Sequence, residues 1–160
     1  MSFVVREPLE EDRASVERHL SHSWGSTTVV SRGTAHDASV LPALVAVQDG
    51  EIVGLATFRV ADGECELVTL DAFREGQGIG SALLAGVSEH AGRHGCERLW
   101  LITTNDNLNA IRFYQRRGMR LVAVHRGAVD EARQIKPSIP LIGEHGIPIH
   151  DEVELELRLG

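Results

Sequence analysis

The stretch from Arg74 to Leu84, REGQGIGSALL, carries three glycines at alternate positions, Gly76, Gly78 and Gly80, just before an apolar pattern of helical period. Such a turn leaves the first N–H groups of the helix without partners, pointing outward with the helix's partial positive charge. An anion fits there, and glycines let it approach because a Cβ would hold it off the main chain. A P-loop is excluded, since Ser81 and Ala82 follow Gly80 and the lysine that reaches the phosphates is missing. A dinucleotide-binding GxGxxG starting at Gly76 should open a parallel βαβ unit, whereas an antiparallel pattern precedes this one. A diphosphate cradle of another kind and a turn without ligand both stay open.

Glu64 and Glu66 form a second constellation just upstream. Residues two apart on a strand share a face, so both carboxylates could look into one cleft, where repulsion raises a pKa toward that of a useful base. The alternative is a solvent-facing pair with Cys65 and Leu67 packing the core. His22, His36, His125 and His150 are further candidates without a spacing that singles one out. His19 with His22, or His90 with His94, stand at helical spacings suited to two metal ligands, but HExxH and a cysteine partner are missing, so surface histidines are the better reading and no metal is expected.

The elements that must position these residues follow from pattern. FVVREP reads as a first strand stopped by Pro8, and EEDRASVERHLSHSW as a helix with acidic residues at its start. Residues 25–40 read as surface loop with at most a short strand at TTVVS. Asp49-Gly50 and Asp62-Gly63, each between β-rich runs, predict two hairpins and a three-stranded antiparallel meander. Leu83, Leu84, Val87 and Ala91 then recur at helical period, giving a helix of about four turns that starts near Gly78. RLWLITT reads as a buried strand, NLNAIRFYQRRGM as a helix closed by Gly118, and RLVAVHR as another strand. Residues 127–146, with Pro137 and Pro140, read as irregular. In DEVELELRL, Val153, Leu155, Leu157 and Leu159 alternate with charges as a half-buried strand requires. The expectation is a mixed α+β fold around a single sheet.

The 160 residues suit one domain spanning the chain, and 42% hydrophobic with 24% charged residues is an ordinary globular balance. The absence of a long apolar run points away from a membrane span and toward the cytoplasm. A net charge of −7 argues against a nucleic-acid partner, although Arg112, Arg116, Arg117 and Arg120 could offer a few phosphates a local positive region. Cys65 and Cys96 are too few for a disulfide framework.

LVTLDAFREGQGIGSALL resembles the acyl-CoA signature of the GNAT N-acetyltransferase superfamily, Gln/Arg-x-x-Gly-x-Gly/Ala at a strand-to-helix turn. NLNAIRFYQRRGM resembles its second signature, Asn-x-x-Ala-x-x-Phe-Tyr ending in Gly and an apolar residue. The resemblance covers about residues 3–125 and implies three layers, α/β/α, with a mostly antiparallel central sheet splayed in a V around the cofactor and flanked by helices. It implies further that the amides of Glu75, Gly76, Gln77, Gly78, Ile79, Gly80 and Ser81 hold the coenzyme A pyrophosphate. Val68, Thr69 and Leu70 would bond the pantetheine arm as an added strand would. Glu75 stands where the family has Gln or Arg, so the cradle is expected to work through backbone N–H groups with Arg74 supplying charge.

Acetyl transfer to an amine needs a neutral amine, a stabilised oxyanion and a proton for the departing thiolate. Deprotonating an alkyl amine at neutral pH costs roughly 4 to 5 kcal/mol, which a carboxylate would offset, and the resemblance favours Glu66 over Glu64. It also implies that Tyr114, four residues after Ala110, protonates the thiolate, and that Asn107 caps its helix and touches the pantetheine. A main-chain N–H, Leu70 foremost, would receive the oxyanion. The expectation is an acetyl-CoA-dependent N-acetyltransferase acting on a small-molecule or peptide amine. The alternatives are a coenzyme A-binding regulatory module, or an acyltransferase with a hydroxyl or thiol acceptor. Trp24, His22, Glu64 and the segment QIKPSIPLIGEHGIPIHDE are expected to border the acceptor pocket; that segment would fold over the pocket or exchange with a second subunit in a homodimer.

Overall fold

The computed structural model describes residues 2–160. In chain order the elements are β1 (Val4–Arg6), α1 (Arg13–Trp24), β2 (Thr28–Ser31), β3 (Thr34–Asp37), β4 (Ala43–Gln48), β5 (Glu51–Ala61), β6 (Glu64–Ala72), α2 (Ile79–Arg93), β7 (Arg98–Thr104), α3 (Leu108–Arg116), β8 (Arg120–His125), α4 (Ala128–Ile135) and β9 (Glu152–Arg158). One sheet runs β1-β4-β5-β6-β7-β9-β8, antiparallel except between β6 and β7. Both expected hairpins form, with Asp49 and Asp62 at positive φ in their turns.

The period-two pattern of the strands sends alternate residues into two cores. On one face Cys65, Leu67 and Leu99 pack under Ile79, Leu83 and Val87 of α2, with Tyr114 of α3 beside them. On the other, Val45, Leu55 and Val68 pack under Val16 and Leu20 of α1. The result is the expected three layers, α/β/α, around a mostly antiparallel sheet. Gly54 on β5 lets α2 lie close, because a Cβ there would collide with Ile79 Cγ2 in the first turn of that helix. The glycine turn before α2 is thereby seated on the sheet.

The sheet is open at its centre. Strands β6 and β7 pair from Glu64 opposite Arg98 to Leu67 opposite Leu101 and no farther. Beyond that point β6 follows β5 to Ala72 and β7 follows β9 to Thr104, so the two diverge into a V. Where the opening starts, the β5–β6 register slips: Thr57 faces Thr69 while Phe58 faces Leu67, leaving Val68 as the extra residue of a β-bulge. The buried hydroxyls of Thr57 and Thr69, 2.7 Å apart, tie the bulge to β5.

Two segments are more regular than their sequence suggests. The short strand allowed at TTVVS is β2, and it forms a separate hairpin with β3, from residues read as loop; the turn at Arg32 and Gly33 has positive φ at both positions. That geometry matches the strand twist in a two-residue turn, but Arg-Gly is a weak signal for it. Within the segment read as irregular, Ala128–Ile135 is helical. Its eight residues give too little periodicity to read, and its stability comes from burying Val129 and Ala132 and from Asp151 Oδ1 accepting the Gly127 N–H at 2.8 Å. No helix among the described residues is long and apolar enough to cross a membrane.

Candidate active site

The V opens a cleft of about 320 Å³ lined by Val68, Thr69, Leu70 and Asp71 on β6, and by Ile102 and Thr103 on β7. Asn107, Ala110 and Tyr114 line it from α3. Asn107 is the N-cap of that helix: its Oδ1 accepts the Ala110 N–H at 3.4 Å and its Nδ2 donates to Thr103 Oγ1 at 3.0 Å. Two helical turns after Asn107, Tyr114 turns into the sheet, only 8% exposed, while its neighbour Phe113 lies outward against the glycine turn. Burial, with Asp71 adding repulsion, pushes the Tyr114 phenol above its ordinary range, so its proton is held firmly at neutral pH.

The glycine turn fits an anionic group. Gly76 and Gly78 are exposed at φ of +75° and +76°, with nothing within 4 Å of where a Cβ would stand. Gly78 caps α2, whose next amides belong to Ile79, Gly80 and Ser81. A Cβ on Gly80 would come within 3.1 Å of Phe113 Cζ, so this glycine lets α2 and α3 converge at the mouth of the cleft. Glu75 is exposed. Arg74 is a correction to the sequence reading: its guanidinium is committed to Gln48 Oε1 at 2.8 Å and Glu51 at 2.9 Å, not to the turn, and Gln48 also donates to Gln77 Oε1 at 3.2 Å. The cation beside the turn is Arg117, which donates to Ser81 Oγ at 2.7 Å and lies 3.6 Å above the Phe113 ring. The cluster of arginines contained it, but spacing alone did not separate it from its neighbours.

The carboxylates differ most from expectation. Glu64 and Glu66 do share a face, but neither lines the cleft. Glu64 pairs with Arg98 at 3.2 Å. Glu66 is buried, accepting the Ser31 hydroxyl at 2.7 Å with Arg59 at 3.7 Å and His36 at 3.9 Å. The physical reason is the β2–β3 hairpin, which brings Ser31 and His36 to that face. The acidic group that β6 contributes to the cleft is Asp71, whose Oδ2 accepts the Trp24 indole N–H at 2.8 Å and whose carboxyl burial raises despite that bond. Nothing in a run of strand residues marks Asp71, because its role depends on the end of α1.

Of the other expected residues, Trp24 lines the cleft, whereas His22 is exposed and is not part of its lining. His125 bonds Glu154 at 2.8 Å and His150 bonds Asp130 at 3.1 Å, both outside the cleft. His19 stacks on Phe73 and His90 on His94, and among the described residues no cluster of His, Cys, Asp and Glu is arranged to hold a metal. Cys65 and Cys96 are free, and burial pushes the Cys65 thiol up to about 12.

The segment after α4 borders the site. Glu144 lines the cleft, and its N–H is accepted by Asp106 Oδ2 at 2.9 Å. Asn105 accepts the His150 and Asp151 N–H groups at 3.0 Å each, fastening the segment to the loop between β7 and α3.

Residues 7–119 match the profile of the acetyltransferase (GNAT) family. The uncharacterized protein YdhI of Bacillus subtilis is 44% identical over 131 residues, 81% of this chain and 82% of that protein. The spermine/spermidine N(1)-acetyltransferase of Bacillus subtilis is 27% identical over 135 residues, 75% of this chain and 89% of that protein. An acetyltransferase from Bacillus subtilis solved in complex with CoA superposes with a TM-score of 0.71 at 16% identity, over 99% of this chain and all of that one, a likeness of fold.

Proposed function

The chain belongs to the GNAT acetyltransferase family, and from that premise we propose that it transfers an acetyl group from acetyl-CoA to a primary amine by direct attack. The observation that carries this reading is the parting of β6 from β7 beyond Leu67 and Leu101, with Tyr114 buried at the floor of the gap. Acetyl-CoA would supply an activated acyl group as its thioester.

This chain's residues would bind and orient that co-substrate. The amides from Glu75 to Ser81 cradle its pyrophosphate at the positive end of α2, with Arg117 as the neighbouring cation. The free main chain of Val68, Thr69 and Leu70 receives the pantetheine arm, with Asn107 and Ala110 on the facing wall. A main-chain N–H of the same wall, from Leu70 or from the unpaired Val68, stabilises the oxyanion. Tyr114 donates its phenolic proton to the departing sulfur; burial keeps that proton in place until the thiolate forms.

The amine enters from the α1 side, where Trp24 and Asp71 bound the cleft. Because Glu66 and Glu64 are engaged elsewhere, the proton lost by the amine passes to a carboxylate nearer the opening. Asp71, Glu144 and Glu152 are those that line the cleft or the cavity adjoining it.

The test is stabilisation against heat by acetyl-CoA, followed by free-thiol release over a panel of amines. Stabilisation with amine-dependent thiol release is expected. No stabilisation at millimolar acetyl-CoA rejects the reading, stabilisation without thiol release makes the chain a coenzyme A-binding module, and release only with alcohols or thiols changes the acceptor class.

A further inference from the structure

A second cavity, of about 450 Å³, lies behind Trp24 on the α1 side of the sheet and shares Ser23 and Trp24 with the cleft. Thr104 lines it, next in sequence to Thr103 of the cleft wall. Most of its lining is apolar, from Val29, Val30, Val129, Ile139 and Ile149, but Glu152 and Lys136 also line it.

Those two ionisable groups are unlike their surroundings. Glu64, Glu66, Glu154 and Glu156 share the face of Glu152, and each has a cation at hand. Arg98 stands 3.2 Å from Glu64, 2.9 Å from Glu154 and 3.0 Å from Glu156, and Arg59 is 3.7 Å from Glu66. Glu152, 2% exposed, has no cation within 4.0 Å among the described residues and accepts only the Arg32 main-chain N–H, at 3.2 Å. Lys136 likewise has no carboxylate within 4.0 Å among the described residues, and gives two of its three N–H donors to the carbonyls of Trp24 and Thr28, at 2.8 and 2.7 Å. Leaving a buried charge without a counter-charge is costly, and here a buried unpaired anion and a half-buried unpaired cation line the same apolar cavity. Burial raises the Glu152 carboxyl and lowers the Lys136 ammonium, as unpaired charges require.

We propose that this cavity is the acceptor pocket and that it selects a zwitterion with a compact apolar body, the chemistry of an apolar α-amino acid, its ammonium against Glu152 and its carboxylate against Lys136. The use of the amine as acetyl acceptor rests on the acetyl-transfer reading above; the selectivity of the pocket does not. The two charges stand more than 4.0 Å apart, which leaves room for a ligand to bridge them. A polyamine would satisfy Glu152 but bring further cations toward Lys136, and a simple alkyl amine would leave Lys136 unpaired. A site built around a polar partner rejects an analogue lacking it more strongly than one short of a methylene.

The experiment titrates the full chain, without co-substrate, with L-leucine and L-phenylalanine against isoamylamine, phenethylamine and spermidine, by calorimetry and thermal shift, then repeats the panel as thiol release with acetyl-CoA. Each amino acid is expected to bind at least about 10-fold more tightly than its decarboxylated amine. Lys136→Met should abolish that preference while keeping amine binding, and Glu152→Gln should weaken both classes. Because Lys136 also tethers Trp24 and Thr28, Lys136→Gln serves as a second variant that keeps a donor without the charge. Spermidine or a decarboxylated amine binding as tightly as the amino acids overturns the proposal, as does a preference that survives both Lys136 variants. Amino-acid binding without thiol release upholds the pocket and rejects acetyl transfer; thiol release with spermidine alone does the reverse.

Discussion

Trp24 Nε1 donates to Asp71 Oδ2 at 2.8 Å, joining the last residue of α1 to the free wall of β6. The bond fixes where the cleft ends and the adjoining cavity begins, since Trp24 lines both. Trp24→Phe removes the donor and leaves a buried carboxyl without it, which should cost about 1–3 kcal/mol in urea denaturation. Asp71→Asn keeps an acceptor for the indole and should cost less; an equal loss in both variants would assign the effect to packing of the ring.

Tyr114→Phe should reduce kcat roughly 100-fold while acetyl-CoA still raises the melting temperature by as much as in the parent chain. The hydroxyl, not the ring, is the group assigned to chemistry. An unchanged kcat removes it as the acid, and a lost thermal shift makes it a binding group.

Two arginines near the glycine turn should behave differently in calorimetric titration with coenzyme A. Arg117→Ala removes the cation next to Ser81, and should weaken binding by about 10-fold or more, the scale of a charge-assisted hydrogen bond. Arg74→Ala breaks bonds to Gln48 and Glu51 and should change affinity by no more than about 2-fold. The reverse ranking would return Arg74 to the cradle.

Glu152 makes a prediction for stability against pH. Burial raises its carboxyl, opposed by the Arg32 N–H and guanidinium and by His125, and reinforced by Glu66. Between the unfolded pKa and the higher folded one, the native state binds more protons, so this group's contribution to stability falls as pH rises through that window. Glu152→Gln removes that term while keeping an acceptor for Arg32. The variant should therefore gain on the parent chain between mildly acidic and neutral buffer in paired denaturation curves. Glu154, held low by Arg98 and His125 despite its burial, works in the opposite direction, losing its contribution as pH falls. A difference between variant and parent that does not move with pH would show that Glu152 titrates normally.

The parts of the site that are local in sequence were legible. Gly76 and Gly78 sit in one turn with Gly80 at the start of the helix that follows, and Asn107, Ala110 and Tyr114 lie along α3 from its cap, so turn chemistry and helical period place each relative to its neighbours. The β4–β5–β6 meander was legible for the same reason, through its Asp-Gly turns, whereas the insertion of β9 between β7 and β8 joins strands with no local link. The row Glu152, Glu154 and Glu156 shows where that reasoning stops. Alternation with Val153 and Leu155 identified the strand and put the glutamates on its other face, which reads as solvent. In the structure Glu152 and Glu154 are 2% and 4% exposed, because the β2–β3 hairpin, Arg32 and Arg98 cover that face.

By itself, then, the sequence determined most of the elements, the glycine turn and the position of the phenol on α3, all set by spacings of a few residues. The tertiary structure decided which charges are spent on one another and which stay unpaired. Arg74 and Glu66 proved to be engaged, whereas Arg117 borders the turn and Asp71, Glu152 and Lys136 line the openings. Charge pairing depends on side chains brought together from strands and helices far apart in the chain, and a separation such as that from Arg32 to Glu154 leaves no local pattern to read.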